Sequence, residues 1–156
     1  MAKAKKIKSS SKKSAKQQSK KPAAIRFVSA PSAKGNHANI LVVDDEPVTC
    51  QLVKEILEAD GHKVDVAYNG QECLNKSASK SYDLISLDVM MPDLNGWEVF
   101  QRLKMRGEKA KIVFLSIVQI TKEREEMLRS NGVADYILKP FTEDGLRARI
   151  KAVLSK

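Results

Sequence analysis

Cysteine is scarce in this chain, with two in 156 residues. Cys50 and Cys73 both fall inside segments of helical period and lack the paired spacing of a thiolate metal site. A disulfide scaffold is therefore excluded, and a reduced, cytoplasmic setting is expected. Long apolar runs are also missing: no stretch of signal-peptide length follows the early lysines, and none approaches a membrane span. No internal repeat is present. Acid is absent altogether from residues 1–36, which hold 11 Lys and Arg but no Asp or Glu.

That last absence changes how the overall charge is read. The net charge is +9, with 28 basic and 19 acidic residues. Once the 11 basic residues of positions 1–36 are set aside, residues 37–156 hold 17 basic and 19 acidic side chains, or −2. The basic balance describes a tail, not a basic face on a folded domain. The first 22 residues are almost entirely Lys, Ser, Ala and Gln, with Ile7 the only large apolar residue after Met1. Such a segment cannot bury enough apolar surface to offset its ordering entropy and is expected to be disordered. I-R-F-V-S-A-P-S-A-K-G-N follows as an expected linker, with Pro31 and Gly35 as breakers. Residues 1–36 thus form a basic tail and linker, and residues 37–156 a single domain.

Within the domain, short apolar runs alternate with segments of helical period. Strands are predicted at Asn39–Val43, Lys63–Ala67, Asp83–Leu87, Lys111–Leu115 and Asp135–Leu138. Several are too uniformly apolar for a half-exposed sheet, as expected when helices cover both faces. Helices are predicted at Pro47–Asp60, Gly70–Lys80, Gly96–Arg106, Thr121–Ser130 and Thr142–Ser155. The first opens on Pro at an allowed first-turn position, ends at Gly61, and carries an apolar stripe of Val48, Leu52, Val53, Ile56 and Leu57. Five such βα units predict a doubly wound α/β sandwich on a five-stranded parallel sheet.

Polar residues stand where the apolar strands run out. Asp44, Asp45 and Glu46 follow I-L-V-V, Asp88 follows D-L-I-S-L, Ser116 follows I-V-F-L, and Lys139 follows Y-I-L and precedes Pro140. In an open parallel sheet the carboxyl ends of the strands share one edge, where ligands bind at a topological switch point. Hard oxygen donors on two loops suit Mg²⁺, which binds one or two carboxylates together with phosphate oxygens. Each residue alone is most simply a solvated charge or an ordinary turn, and the ordered set is the informative signal. Both histidines, His37 and His62, lie away from these points, which argues against a conventional small-substrate enzyme.

Together, L-V-V-D-D-E-P, L-D-V-M-M-P-D-L-N-G-W-E-V, F-L-S and Y-I-L-K-P-F resemble the receiver domain of two-component response regulators, the CheY-like family, over about Asn39 to Ser155. The resemblance implies a flavodoxin-like fold with strand order 2-1-3-4-5. It also implies that Asp88 is the phosphoacceptor, taking a phosphoryl group from a histidine kinase or histidine phosphotransfer protein. Asp45 is then a direct ligand of Mg²⁺ (Mn²⁺ as an alternative), with Asp44 holding the ion largely through water and the Met90 backbone carbonyl supplying another oxygen. Lys139 and Ser116 would bind phosphoryl oxygens, and Tyr136 would turn as Ser116 moves. Pro92 and Gly96 would shape the loop after Asp88, and Lys139–Pro140 is expected to be cis.

Two departures from the family pattern carry further expectations. Where many receivers have Ala or Gly after the hydroxyl residue, this chain has Ile117 and then Val118. With Met90 these side chains should restrict water and lengthen the life of an acyl phosphate, or else hinder phosphorylation itself. The second departure is that the chain ends with the last helix, so a stand-alone regulator is expected, acting through an unidentified downstream protein. Ile120, Arg124, Tyr136 and Arg149 are candidate contacts on the face built from the fourth helix, fifth strand and fifth helix. A rival reading is a nucleic-acid-associated regulator tethered by its lysines through counterion release. No aromatics interleave with those lysines, so base stacking is not indicated, and no apolar anchor points to a membrane.

Overall fold

The computed structural model describes residues 37–156. The tail and linker expected at 1–36 lie outside the described residues. Ten elements alternate in chain order: β1 (Asn39–Val43), α1 (Pro47–Ala59), β2 (Lys63–Ala67), α2 (Gly70–Ser79), β3 (Leu84–Leu87), α3 (Gly96–Met105), β4 (Lys111–Ser116), α4 (Lys122–Ser130), β5 (Val133–Leu138) and α5 (Glu143–Leu154). All strand pairs are parallel, in the order β2-β1-β3-β4-β5. The flavodoxin-like (βα)₅ architecture expected from the sequence is the one observed.

Alternation along each strand divides the core into two layers. From β1, Ile40 and Val42 join Val53 and Leu57 of α1 and Leu146, Ile150 and Val153 of α5 on one face. Leu41 and Val43 join Leu74 of α2, Val99, Phe100 and Leu103 of α3 and Leu128 of α4 on the other. Burial on both faces explains why the central strands read as unbroken apolar runs.

The boundaries differ from the sequence reading in three instructive places. β3 begins at Leu84, one residue later than expected; Asp83 stands just before it, its carboxylate accepting from the Asn39 N–H at 2.7 Å and its own N–H donating to the Asn39 carbonyl at 2.8 Å. β5 begins two residues early, at Val133, directly after Gly132 turns the chain out of α4 with φ of +93°. A register shift at Ile112/Val113 absorbs the difference. β4 extends through Ser116, which pairs with Leu138.

The α1 stripe also needs correction. Cys50, Val53, Ile56 and Leu57 are buried, whereas Val48 is 75% and Leu52 43% exposed. The helix is rotated so that Cys50 faces the sheet, where its thiol donates to the Asp44 carbonyl at 3.3 Å.

Candidate functional site

Strand order reverses between β1 and β3, so the carboxyl ends of these two strands flank the switch point. Backbone ladders carry the key residues one step past the strand ends. The Asp44 N–H donates to Ala67 O at 3.1 Å, Asp88 N–H to Val43 O at 2.9 Å, and Lys139 N–H to Ser116 O at 2.9 Å. The site therefore inherits the rigidity of the sheet.

Asp44, Asp45 and Asp88 converge: each offers a carboxylate oxygen, and the three oxygens lie within 4.8 Å of one another. Asp44 and Asp88 are buried while Asp45 is exposed. Asp44 accepts the Glu46 N–H at 3.0 Å on Oδ1 and Lys139 Nζ at 2.5 Å on Oδ2. Lys139 Nζ stands 3.5 Å from Asp88 Oδ1, too far to hydrogen-bond well, and that buried oxygen has no hydrogen-bond partner.

Buried oxygens without partners are costly and rare in folded proteins. Here burial pushes the Asp88 carboxyl up to about 6; the Lys139 ammonium opposes the rise and Asp44 adds to it. Burial alone would lower the Lys139 pKa, but Asp44 and then Asp88 outweigh it and hold the ammonium above its ordinary value. Three clustered carboxylates with one oxygen unsatisfied fit a hard divalent cation such as Mg²⁺, held by Asp44, Asp45 and Asp88.

On the neighbouring strands, Ser116 is fully buried and its Oγ accepts the Val118 N–H at 3.2 Å. The Tyr136 hydroxyl donates to the Val118 carbonyl at 2.6 Å. Burial lifts the Tyr136 phenol above its usual pKa. The Val118 side chain packs against the core, while Met90 and Ile117 stand 57% and 67% exposed. Lys139–Pro140 is cis. Gly96 meets the Asp88 loop so closely that a Cβ would lie 2.2 Å from Asp88 O, and Pro92 is exposed in the same loop.

Other contributions were not legible in the sequence. Asp93 accepts from the Gly70 and Gln71 N–H groups at 3.2 and 3.1 Å, fastening the loop after Asp88 to the start of α2. Only the pairing of a loop carboxylate with a helix start 22 residues earlier could have signalled it, and no spacing rule predicts that. Trp97 lies parallel to Tyr136, at 11° and 6.4 Å between ring centroids. Of the four candidate contacts, Arg124 alone is exposed: Tyr136 is buried, Ile120 packs partly against the core, and Arg149 is half-buried. Arg149 donates from Nε and Nη2 to both oxygens of Asp135, at 2.6 and 2.7 Å.

Comparison with known proteins agrees with this geometry. Residues 40–151 match the family model described as the response regulator receiver domain. The response regulator ArlR of Staphylococcus haemolyticus is 38% identical over 118 residues, covering 76% of this chain and 53% of the relative. The transcriptional regulatory protein ResD of Bacillus subtilis is 38% identical over 125 residues, covering 78% and 50%. The chain spans about half the length of these curated relatives. Among solved structures, the response regulator TrrA of Thermotoga maritima, crystallised with Mg²⁺ and BeF, has a TM-score of 0.64 at 37% identity and covers 74% of this chain and 97% of its own. A Francisella response regulator receiver domain gives 0.70 at 29%, covering 76% and 98%. Receiver domains of this kind are signalling modules of two-component systems, not classical enzymes. This chain belongs to the response regulator receiver domain family.

Proposed function

We propose that this protein accepts a phosphoryl group on Asp88 from a histidine kinase or histidine phosphotransfer protein and signals through phosphorylation-dependent protein contacts. The observation that carries this reading is the buried Asp88 Oδ1, unpartnered beside Lys139 and within a three-carboxylate cluster. A carboxylate oxygen of Asp88 attacks phosphorus, the bond from phosphorus to the donor imidazole nitrogen breaks, and the neutral imidazole departs with a proton from its cationic form. The Lys139 ammonium lies close enough to offset charge on the incoming phosphoryl oxygens. Ser116 uses its oxygen as an acceptor, leaving its hydroxyl hydrogen free for a phosphoryl oxygen. Asp44, Asp45, Asp88 and the Met90 carbonyl would hold Mg²⁺ or Mn²⁺, which supplies charge neutralisation between the two anionic partners.

Acetyl phosphate with Mg²⁺, read by intact mass, tests this. Wild type gains one phosphoryl group, and Asp88→Ala gains none. An equal gain in both overturns the assignment of Asp88. The exposed Met90 and Ile117 support slow hydrolysis of the acyl phosphate; Ile117→Ala should shorten its half-life severalfold, measured by loss of label after the donor is removed. If Ile117 instead hinders phosphorylation, that variant gains label faster.

A second reading rests on the tail, whose 11 basic residues without acid favour polyanions. Deleting residues 1–21 and titrating DNA at two salt concentrations separates tethering from solubilisation. A tail effect that persists at physiological salt supports a nucleic-acid-associated regulator; an effect confined to low salt supports the protein-contact reading.

A further inference from the structure

On the face formed by α4, β5 and α5, the charges nearest the sheet are paired with one another. Asp135 is held by Arg149 and by Arg129, and Arg149 also donates to the Tyr136 carbonyl at 2.8 Å. The other side of α4 is different. There, Trp97 and Met105 of α3 and Met127 and Leu128 of α4 line an open groove of about 530 Å³. Met105 is 79% exposed, large for an apolar side chain with no neighbour to cover it. Two cations, Lys104 and Arg124, line the same groove and no carboxylate does. Neither makes an ion pair among the described residues. Arg124 instead lies over the Trp97 ring, 5.7 Å from its centroid.

We propose that the groove between α3 and α4 docks an acidic amphipathic helix of a partner protein, and that Trp97 and Tyr136 link its occupancy to the state of Asp88. The sign of the unpaired charges selects the partner's chemistry. It excludes the chain's own residues 1–36, which carry 11 cations and no acid. The shape selects a helix: Trp97 and Met105 lie eight residues apart, about 12 Å of helix rise, which matches anchors at i, i+4 and i+7. The linkage is a continuous set of contacts. Arg124 packs on Trp97, Trp97 stacks on Tyr136, Tyr136 donates to the Val118 carbonyl, and the Val118 N–H donates to Ser116. A Tyr136 that turned with Ser116 would remove one wall from behind Trp97. This second half rests on the receiver reading above; the docking itself does not.

A displayed library of helical peptides selected on the full chain tests the docking without presupposing a sequence. The expected consensus has apolar residues at i, i+4 and i+7 flanked by Asp and Glu. Trp97, the sole tryptophan, reports binding of the synthesised peptide by its fluorescence. Lys104→Glu with Arg124→Glu, both at exposed positions, should weaken binding at least tenfold, and a Lys-flanked version of the peptide should regain it. No enrichment, a consensus without acidic bias, or binding indifferent to the double variant overturns the proposal. Concentration-dependent self-association lost in the double variant also overturns it, because the occupant is then a second copy. Beryllofluoride with Mg²⁺ tests the linkage. A severalfold change in peptide Kd for wild type and none for Asp88→Asn supports it, and an unchanged Kd with beryllofluoride bound overturns it. If beryllofluoride does not bind at all, the receiver reading fails and the linkage with it, while the docking stands or falls on the peptide result.

Discussion

Gly96 occupies a place where no side chain fits. A Cβ there would meet Asp88 O at 2.2 Å and the Val89 Cα at 2.9 Å, and both obstacles are backbone, which yields little. Gly96→Ala should therefore cost about 3 kcal/mol, the upper part of the usual overpacking range. Urea unfolding measures this, and phosphoryl uptake should fall at the same time because the displaced atom belongs to Asp88, the proposed phosphoacceptor. Asp135 poses a titration problem of the same size. Burial would raise its pKa, but Arg149 and then Arg129 outweigh that and hold it below the ordinary carboxylate value. A depressed folded pKa contributes stability that is fully present above the unfolded value and is lost as pH falls through the folded one. Asp135→Asn should thus cost about 1–2 kcal/mol at pH 7, kept modest by the partial exposure of both arginines. The gap from wild type should stay level down to about pH 5 and narrow below about pH 4, the range set by an unperturbed aspartate. A gap that widened in acid would refute the ion-pair account.

At the scale of elements, α1 separates what periodicity says from what packing decides. Leu52 and Leu57 both lie on an apolar stripe in the sequence, yet Leu57 is fully buried and Leu52 is 43% exposed. Leu57→Ala should destabilise by about 2–5 kcal/mol, and Leu52→Ala should change stability by less than about 0.5 kcal/mol. Thermal or urea unfolding of the two variants checks the contrast; equal losses would place both residues in the core. The stripe was legible because helical spacing is local, but its rotation is settled by packing, which buries Cys50 with Val53, Ile56 and Leu57. Strand positions were legible for a similar reason, since a run buried on both faces must be apolar throughout. The early start of β5 was not, because it depends on a register shift in its partner β4.

For the whole molecule, three carboxylates from two loops form one site only in the folded chain, so a cation that binds there must stabilise the fold. Mg²⁺ should raise the unfolding temperature in a concentration-dependent way, by about 2.7 kcal/mol of added stability at one hundred times Kd. Asp45 is the exposed member of the cluster and can be removed without opening the core. Asp45→Ala should keep the metal-free stability near that of wild type and abolish most of the Mg²⁺ effect. An undiminished effect in that variant would locate the ion elsewhere. No helix among the described residues is long and apolar enough to cross a membrane.

What the sequence determined by itself was the alternation of elements, the carboxyl ends of the strands to within one residue, and the residue types placed at those ends. Periodicity, turn residues and the order of polar groups act over a few neighbours and can be read without coordinates. The tertiary structure decided which of those groups face one another. Lys139 pairs with Asp44 across 95 positions, Arg149 turns inward to Asp135, and Trp97 lies against Tyr136. Only the folded chain buries the Asp88 carboxylate and leaves one of its oxygens without a hydrogen-bond partner. Burial, charge pairing and stacking are relations between segments distant in the chain, and their strength depends on the water excluded when the sheet and its two helical layers close.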